Sequence, residues 1–281
     1  MNGAATKDDI FFIIGCVRSA TTAFAKVLYT ADNAKVFVEQ PPKLLIESRE
    51  LARGNLDDPI SVLRNAKHDL IQSVLQSGMK YGDKNAAYMP FIPYLNAIWE
   101  CKILFIIRDG RDVVRSLMDW HTFRHPIFFM QEDDSNSDVR LPEGVEWDYS
   151  RIRPNPSDPC YSRWQHFTVF QKAAWHWARY NEMALEHLSV LENSRWMLVK
   201  MDDADVDTIA EVFEFLDLKG FNEDLIDTLL HENINRLSID IENGERFPPW
   251  PKWSKMQKRS FDELAGKMMF RLGYYESQFL K

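Results

Sequence analysis

The stretch FFIIGCVRSATTAF, residues 11–24, decides how the rest of the chain is read. Phe11, Phe12, Ile13 and Ile14 predict a buried strand, residues 15–20 a tight loop, and Thr21 onward a helix whose first backbone amides are free. A strand-loop-helix unit of this kind is an anion site in outline, because amides and helix dipole converge on one point. A nucleoside-triphosphate loop reads G-x-x-x-x-G-K-[ST], its lysine reaching the outer phosphates and its hydroxyl holding magnesium. In the register that starts at Gly15, Ala20 stands at the second glycine and Thr21 at the lysine. The one cation in the loop is Arg18. The anion expected here is held by amides, hydroxyls and one arginine, with no sign of a metal ligand.

A chain of 281 residues with 45% hydrophobic content can bury a large core, and we expect one α/β domain over residues 1–281. No internal repeat or Ser/Gly-rich spacer interrupts it. Turn-prone residues gather between Pro126 and Pro159, which marks residues 122–163 as a lid or acceptor loop. The opening MNGAATKDD lacks the basic and apolar regions of a signal peptide, and no apolar run approaches the ~20 residues of a membrane span. A cytoplasmic location is the expectation. The three cysteines, Cys16, Cys101 and Cys160, have no metal spacing and suit a reducing compartment. A net charge of −8 argues against general binding of nucleic acid or anionic membrane. An anionic ligand must then be met by a few basic residues that the fold gathers.

Further along, AKVFVEQ (34–40) reads as a strand, PPKLLIESRELA as a helix opened by prolines, and Pro59–Gln76 as a longer amphipathic helix. MKYGDKN reads as ending in a Gly-Asp-Lys turn, a helix follows through Trp99, and KILFIIRDGRDVVRSLMDWH is a buried strand feeding a helix. Repeated βα units with unbroken apolar strands predict a parallel sheet with helices on both faces and ligands at the carboxyl ends of the strands. Gly15, Glu39, Lys84 and Arg108 fall at such ends. Arg108 leaves its strand and Ser116 lies in the next helix, so a guanidinium and a hydroxyl can share one phosphate monoester. The plainer reading pairs Arg108 with Asp112.

Together, GCVRSATTAF and FIIRDGRDVVRSL resemble the sulfotransferase superfamily that uses 3′-phosphoadenosine 5′-phosphosulfate (PAPS). The resemblance continues through YGDKN, the Trp-rich AAWHWARYNEMALEHL, RWMLVKMDD with IAEVFEFLDL, and the closing PKW and FRLGYY. It implies the sulfotransferase fold, a P-loop-like parallel sheet flanked by helices. It also implies that the first loop wraps the 5′-phosphosulfate while Arg108 and Ser116 hold the 3′-phosphate. Ala20 departs from the usual glycine. Arg18 stands where aryl and steroid enzymes carry lysine, and arginine is found in carbohydrate and protein-tyrosine sulfotransferases. Without the Golgi anchor of those relatives, a soluble, bacterial-type natural-product enzyme is expected.

Sulfuryl transfer develops charge mainly on the bridging oxygen of the departing 5′-phosphate, which needs a cation and no metal. Arg18 can supply it, with Ser19, Ala20, Thr21, Thr22 and Ala23 around the phosphosulfate. Lys84 is the candidate second cation, or else a salt-bridge partner of Asp83. The acceptor must lose a proton, and Glu39 and His121 are the competing bases. His121 also has i, i+4 spacing with His125, but no third ligand accompanies the pair. Lys252 and Trp253 are the candidates for a late cofactor contact. The acceptor is expected to be a small polar molecule sulfated on oxygen or on an amino or guanidino nitrogen. Carboxylates and aromatics in QEDDSNSDVRLPEGVEWDYSR (131–151) suggest a cationic one of the saxitoxin type. A carbohydrate or phenol acceptor, a P-loop kinase and a nucleotide-binding protein without turnover are the alternatives.

Overall fold

The computed structural model describes residues 7–123, 151–231 and 245–276. Five parallel strands form one sheet in the order β2-β3-β1-β4-β5. They are β1 (Ile10–Ile14), β2 (Ala34–Val38), β3 (Lys80–Lys84), β4 (Lys102–Ile107) and β5 (Trp196–Lys200). Between β1 and β4 run α1 (Thr21–Leu28), α2 (Leu45–Arg53), α3 (Pro59–Gln76), a 3-10 turn over Ala86–Phe91, and α4 (Ile92–Trp99). After β4 come α5 (Gly110–Phe123), α6 (Val169–Leu188), α7 (Val206–Leu216), α8 (Glu223–His231) and α9 (Lys255–Arg271).

The apolar run of β1 is buried on both faces, as a central parallel strand requires. Phe12 and Ile14 join one core with Val113, Val114 and Leu117 of α5 and the Trp175 and Trp177 rings of α6. Phe11 and Ile13 join the other, with Phe24 and Leu28 of α1 and Ile209 and Phe213 of α7. Helices therefore cover the sheet on both sides. No helix among the described residues is long and apolar enough to cross a membrane.

Two readings of the sequence need correction. The Gly-Asp-Lys of MKYGDKN is no turn: Gly82, Asp83 and Lys84 are the end of β3, inside the sheet between β2 and β1. Its composition hid it. Gly82 is required because the Phe11 ring lies across it, and an added Cβ would come within 2.3 Å of Phe11 Cζ. Asp83 is tolerated at full burial because Tyr81, Tyr88 and Lys67 surround it. The prolines at 41 and 42 precede α2 without opening it, and the helix starts at Leu45. By contrast α3 runs over Pro59–Gln76 as read, with Asp58 accepting from the Ser61 amide at 3.0 Å and proline in the first turn.

The strand order places a topological switch between β1 and β4. The chain leaves β1 toward β2 and leaves β4 toward β5, so a crevice opens above the carboxyl ends of these neighbours.

Candidate active site

A cavity of about 840 Å³ occupies that crevice. Arg18 and Ala20 line it from the loop after β1, and Thr21, Thr22 and Ala23 from the first turn of α1. Glu39 lines it from just after β2, Lys84 from the end of β3, Arg108 from just after β4 and Ser116 from α5. Residues spread across the sequence thus meet over one set of strand ends.

The first loop owes its shape to two left-handed residues and one tight glycine. Arg18 has φ 69° and Ala20 has φ 62°. Ala20 adopts the conformation usually given to glycine, at a cost of about 1–2 kcal/mol for a residue with a Cβ. Gly15 lies so near β4 that a Cβ would sit 2.4 Å from the Ile106 carbonyl oxygen. Because Ala20 is the N-cap of α1, no side chain caps the helix, and its first turn opens at the cavity. Ser19 is placed differently from expectation. It is fully buried and does not line the cavity, since its amide folds back to the Cys16 carbonyl at 3.0 Å.

Arg18 bridges the loop and α5. Its Nε donates to Ser116 Oγ at 2.9 Å, and its guanidinium carbon lies 4.9 Å from the centre of the Trp120 ring. Burial pulls its pKa down to about 10, the positive charges of Arg108 and Arg151 add to this, and Asp119 opposes it. Arg18 is still cationic at neutral pH, crowded by like charge, which is the electrostatics of an anion site.

Arg108 and Ser116 line the same cavity without sharing one partner. Arg108 Nε lies 3.8 Å from Asp202 Oδ1, in the turn after β5. Asp202 Oδ2 accepts from the Asp109 amide at 2.8 Å and the Tyr274 hydroxyl at 2.9 Å. Asp112, the expected partner in the plainer reading, pairs instead with Arg115 at 3.8 Å. The start of α5 is held by the Trp177 indole, which donates to the Arg108 carbonyl at 3.2 Å and packs over Gly110, where a Cβ would meet the ring at 2.8 Å.

On the β2–β3 side, Lys84 Nζ donates to Glu39 Oε1, and the Glu39 amide donates to the Lys84 carbonyl at 2.8 Å. Lys84 does not pair with Asp83, because consecutive strand residues point to opposite faces. Ala86, Ala87, Tyr180, His176 and Arg151 complete this side. Tyr180 donates its hydroxyl to the Ala86 carbonyl. Burial drives the His176 pKa well below its ordinary value, reinforced by Arg151 and Arg153, so its ring is neutral.

Three expected site residues lie elsewhere. His121, in the last turn of α5, does not line the cavity, although its neighbours Asp119 and Trp120 do. His125 is outside the described residues. Lys252 is exposed, and Trp253 is buried among Phe170, Phe247, Trp250 and Phe261, its indole donating to the Pro248 carbonyl at 2.7 Å. An indole enclosed by four rings is part of the core. The late segment instead contributes Arg246 to the cavity, where the Phe247 amide binds Asp119 Oδ1 at 2.7 Å. Arg115, Asp202 and Arg246 carried weak sequence signals, being one residue from Ser116, just after an apolar strand, and beside the Pro-Pro-Trp run. Arg151, His176 and Tyr180 carried none.

Within this fold, the comparison with solved structures is decisive. Mouse sulfotransferase SULT7A1 complexed with PAP matches with a TM-score of 0.52 at 14% identity, over 94% of this chain and 84% of that one. The chain has the sulfotransferase fold. A sulfotransferase from Alicyclobacillus acidocaldarius matches with a TM-score of 0.50 at 12% identity, over 99% of this chain and 100% of that one. No protein-family model matches the chain, and no curated protein matches it by sequence. The likeness therefore lies in the backbone fold.

Proposed function

We propose that the protein is a PAPS-dependent sulfotransferase that moves a sulfuryl group to a hydroxyl or nitrogen of a small polar acceptor. The observation that carries this reading is the meeting of Arg18, Glu39, Lys84, Arg108 and Ser116 around one cavity at the strand ends of a sulfotransferase fold. The PAP found with the mouse structure is the form of PAPS that remains after transfer, which supports the same ligand class here. The donor set fits it: an uncapped helix start and Arg18 for the phosphosulfate, Arg108 and Ser116 for the 3′-phosphate, and Arg246 in the role first assigned to Lys252.

When bound, PAPS would supply a sulfuryl group already activated as a phosphosulfate anhydride. Arg18 would hold the leaving phosphate as a cation, its guanidinium already fixed by the contact to Ser116. The Thr21, Thr22 and Ala23 amides hold the same phosphate at the positive end of α1. Glu39 would be the acceptor-side base, and Lys84, which holds its carboxylate, would be the second cation at the sulfuryl group. The segment behind the cationic-acceptor expectation, 131–151, lies outside the described residues except for Arg151. The test is an acceptor screen with sulfur-labelled PAPS, taking cationic, phenolic and carbohydrate acceptors in parallel. Label transfer that requires Arg18 supports the proposal; no transfer to any class by protein that binds PAP would reduce it to nucleotide binding.

A further inference from the structure

Behind the Glu39 side of the cavity lies a buried polar cluster with no part in the roles above. Lys67, in the middle of α3, and Asp83, on β3, both have fully buried side chains and lie 3.6 Å apart, Nζ to Oδ2. Asp83 Oδ2 also accepts from the Tyr81 hydroxyl at 3.0 Å and the Tyr88 hydroxyl at 2.5 Å. Lys67 Nζ donates outward, to the Gln40 carbonyl at 2.8 Å. A buried ion pair seldom stabilises a core more than apolar residues of the same size, so its use is better sought in what it holds in place.

What it holds is the residue after Glu39. Glu39 has φ 54°, a left-handed conformation that a residue with a Cβ keeps only where its surroundings enforce it. Its amide is fixed by the Lys84 carbonyl and its carboxylate by Lys84 Nζ. The next carbonyl is fixed by Lys67, and that of Lys43 by the Asn85 side chain at 2.9 Å. All of these contacts come from β3, the residue after it, or α3, so a turn on the cavity wall is tied down from the core behind it.

We infer that Lys67 is a positioning residue for Glu39: it grips the Gln40 carbonyl, keeps the left-handed turn closed, and so aims the carboxylate at the acceptor, with Asp83 anchoring the ammonium group. This rests on the reading of Glu39 as the acceptor-side base. Lys67→Met alone leaves Asp83 buried without its cation, so the informative variant is Lys67→Met with Asp83→Asn, which removes both charges and keeps an acceptor for the two tyrosines. In the full-length protein, the double variant should bind PAP within about twofold of wild type and keep the acceptor KM, while kcat falls at least tenfold. Placed in a Glu39→Gln background it should cost less than threefold more, because a misaimed glutamine has no base function to lose. An unchanged kcat, an equal loss in the Glu39→Gln background, or a parallel loss of PAP affinity would each overturn the inference. Failure of both the single and double variants to fold would do the same, by assigning the pair to stability. A wild-type protein that transfers no sulfuryl group to any acceptor would sink the functional reading itself, and is scored separately by the wild-type control.

Discussion

The two ends of the cavity are built in different ways. The Arg18, Arg108 and Ser116 end is made from two contiguous segments, each a strand, a turn and a helix start, and so its residues can be picked out of the sequence together. The Glu39 and Lys84 end is assembled from the end of β2, β3, α2, α6 and Arg151, with partners drawn from distant segments. A ligand group that every member of a reaction class shares can be met by a local motif. The composite wall shows in sequence only at its strand ends, Glu39 and Lys84, while Arg151, His176 and Tyr180 reach it from distant segments.

Mutations at the two ends should therefore fail in different ways. Glu39→Gln, on the composite side, should lower kcat by roughly 10²–10⁴ with PAP affinity unchanged, because a positioned base is lost and the near-isosteric amide keeps the shape. His121→Ala should have little effect beside it, and an inactive His121 variant next to an active Glu39→Gln would move the base off the cavity wall. Arg18→Ala, on the motif side, should cost roughly 10²–10³ in turnover, since its proposed contact strengthens as the leaving oxygen gains charge. Near-normal turnover in that variant would pass the leaving-group role to Lys84. Arg108→Ala, on the motif side, should weaken PAP binding by about 1.5–3 kcal/mol and leave kcat at saturating donor almost untouched. A variant with normal PAP affinity would break the division between the ends.

A smaller effect should appear in stability. His176, on the composite wall, is held neutral in the fold but takes a proton in the unfolded chain below about its ordinary value of 6.5. Its folded pKa is the lower one, so stability is full above that pH and falls as pH drops, by about 1.4 kcal/mol per unit for one such group. His187, also lowered by burial, adds in the same window. Denaturant unfolding between pH 7 and 5 should show this slope, and His176→Gln should flatten it. An unchanged slope in the variant would show that the ring takes up its proton in the fold as readily as in the unfolded chain.

Most of the sheet was legible because β1 and β4 are unbroken apolar runs, and α3 carries its own start signal at Asp58 and Pro59. β3 was misread because it holds a glycine, an aspartate and two lysines. Each is satisfied by tertiary contacts, the Phe11 ring over Gly82 and the Lys67 and tyrosine groups around Asp83, which no local pattern displays. The same reason hid Arg151, His176 and Tyr180. At Trp253 the tertiary setting was equally illegible: the motif-like Lys-Trp pair is a buried indole beside an exposed lysine.

The most direct test of the account is a pair of calorimetric titrations of the wild-type protein, one with 3′,5′-adenosine bisphosphate and one with ATP and magnesium. A loop whose lysine position holds Thr21, lining one cavity with Arg108 and Ser116, should bind the bisphosphate and discriminate against ATP, because the arginine and hydroxyl are proposed to hold a 3′-phosphate, which ATP lacks. Tighter binding of the bisphosphate, lost on Arg108→Ala, is the predicted result; tighter binding of ATP with magnesium would contradict the central claim and make the site that of a nucleoside-triphosphate enzyme.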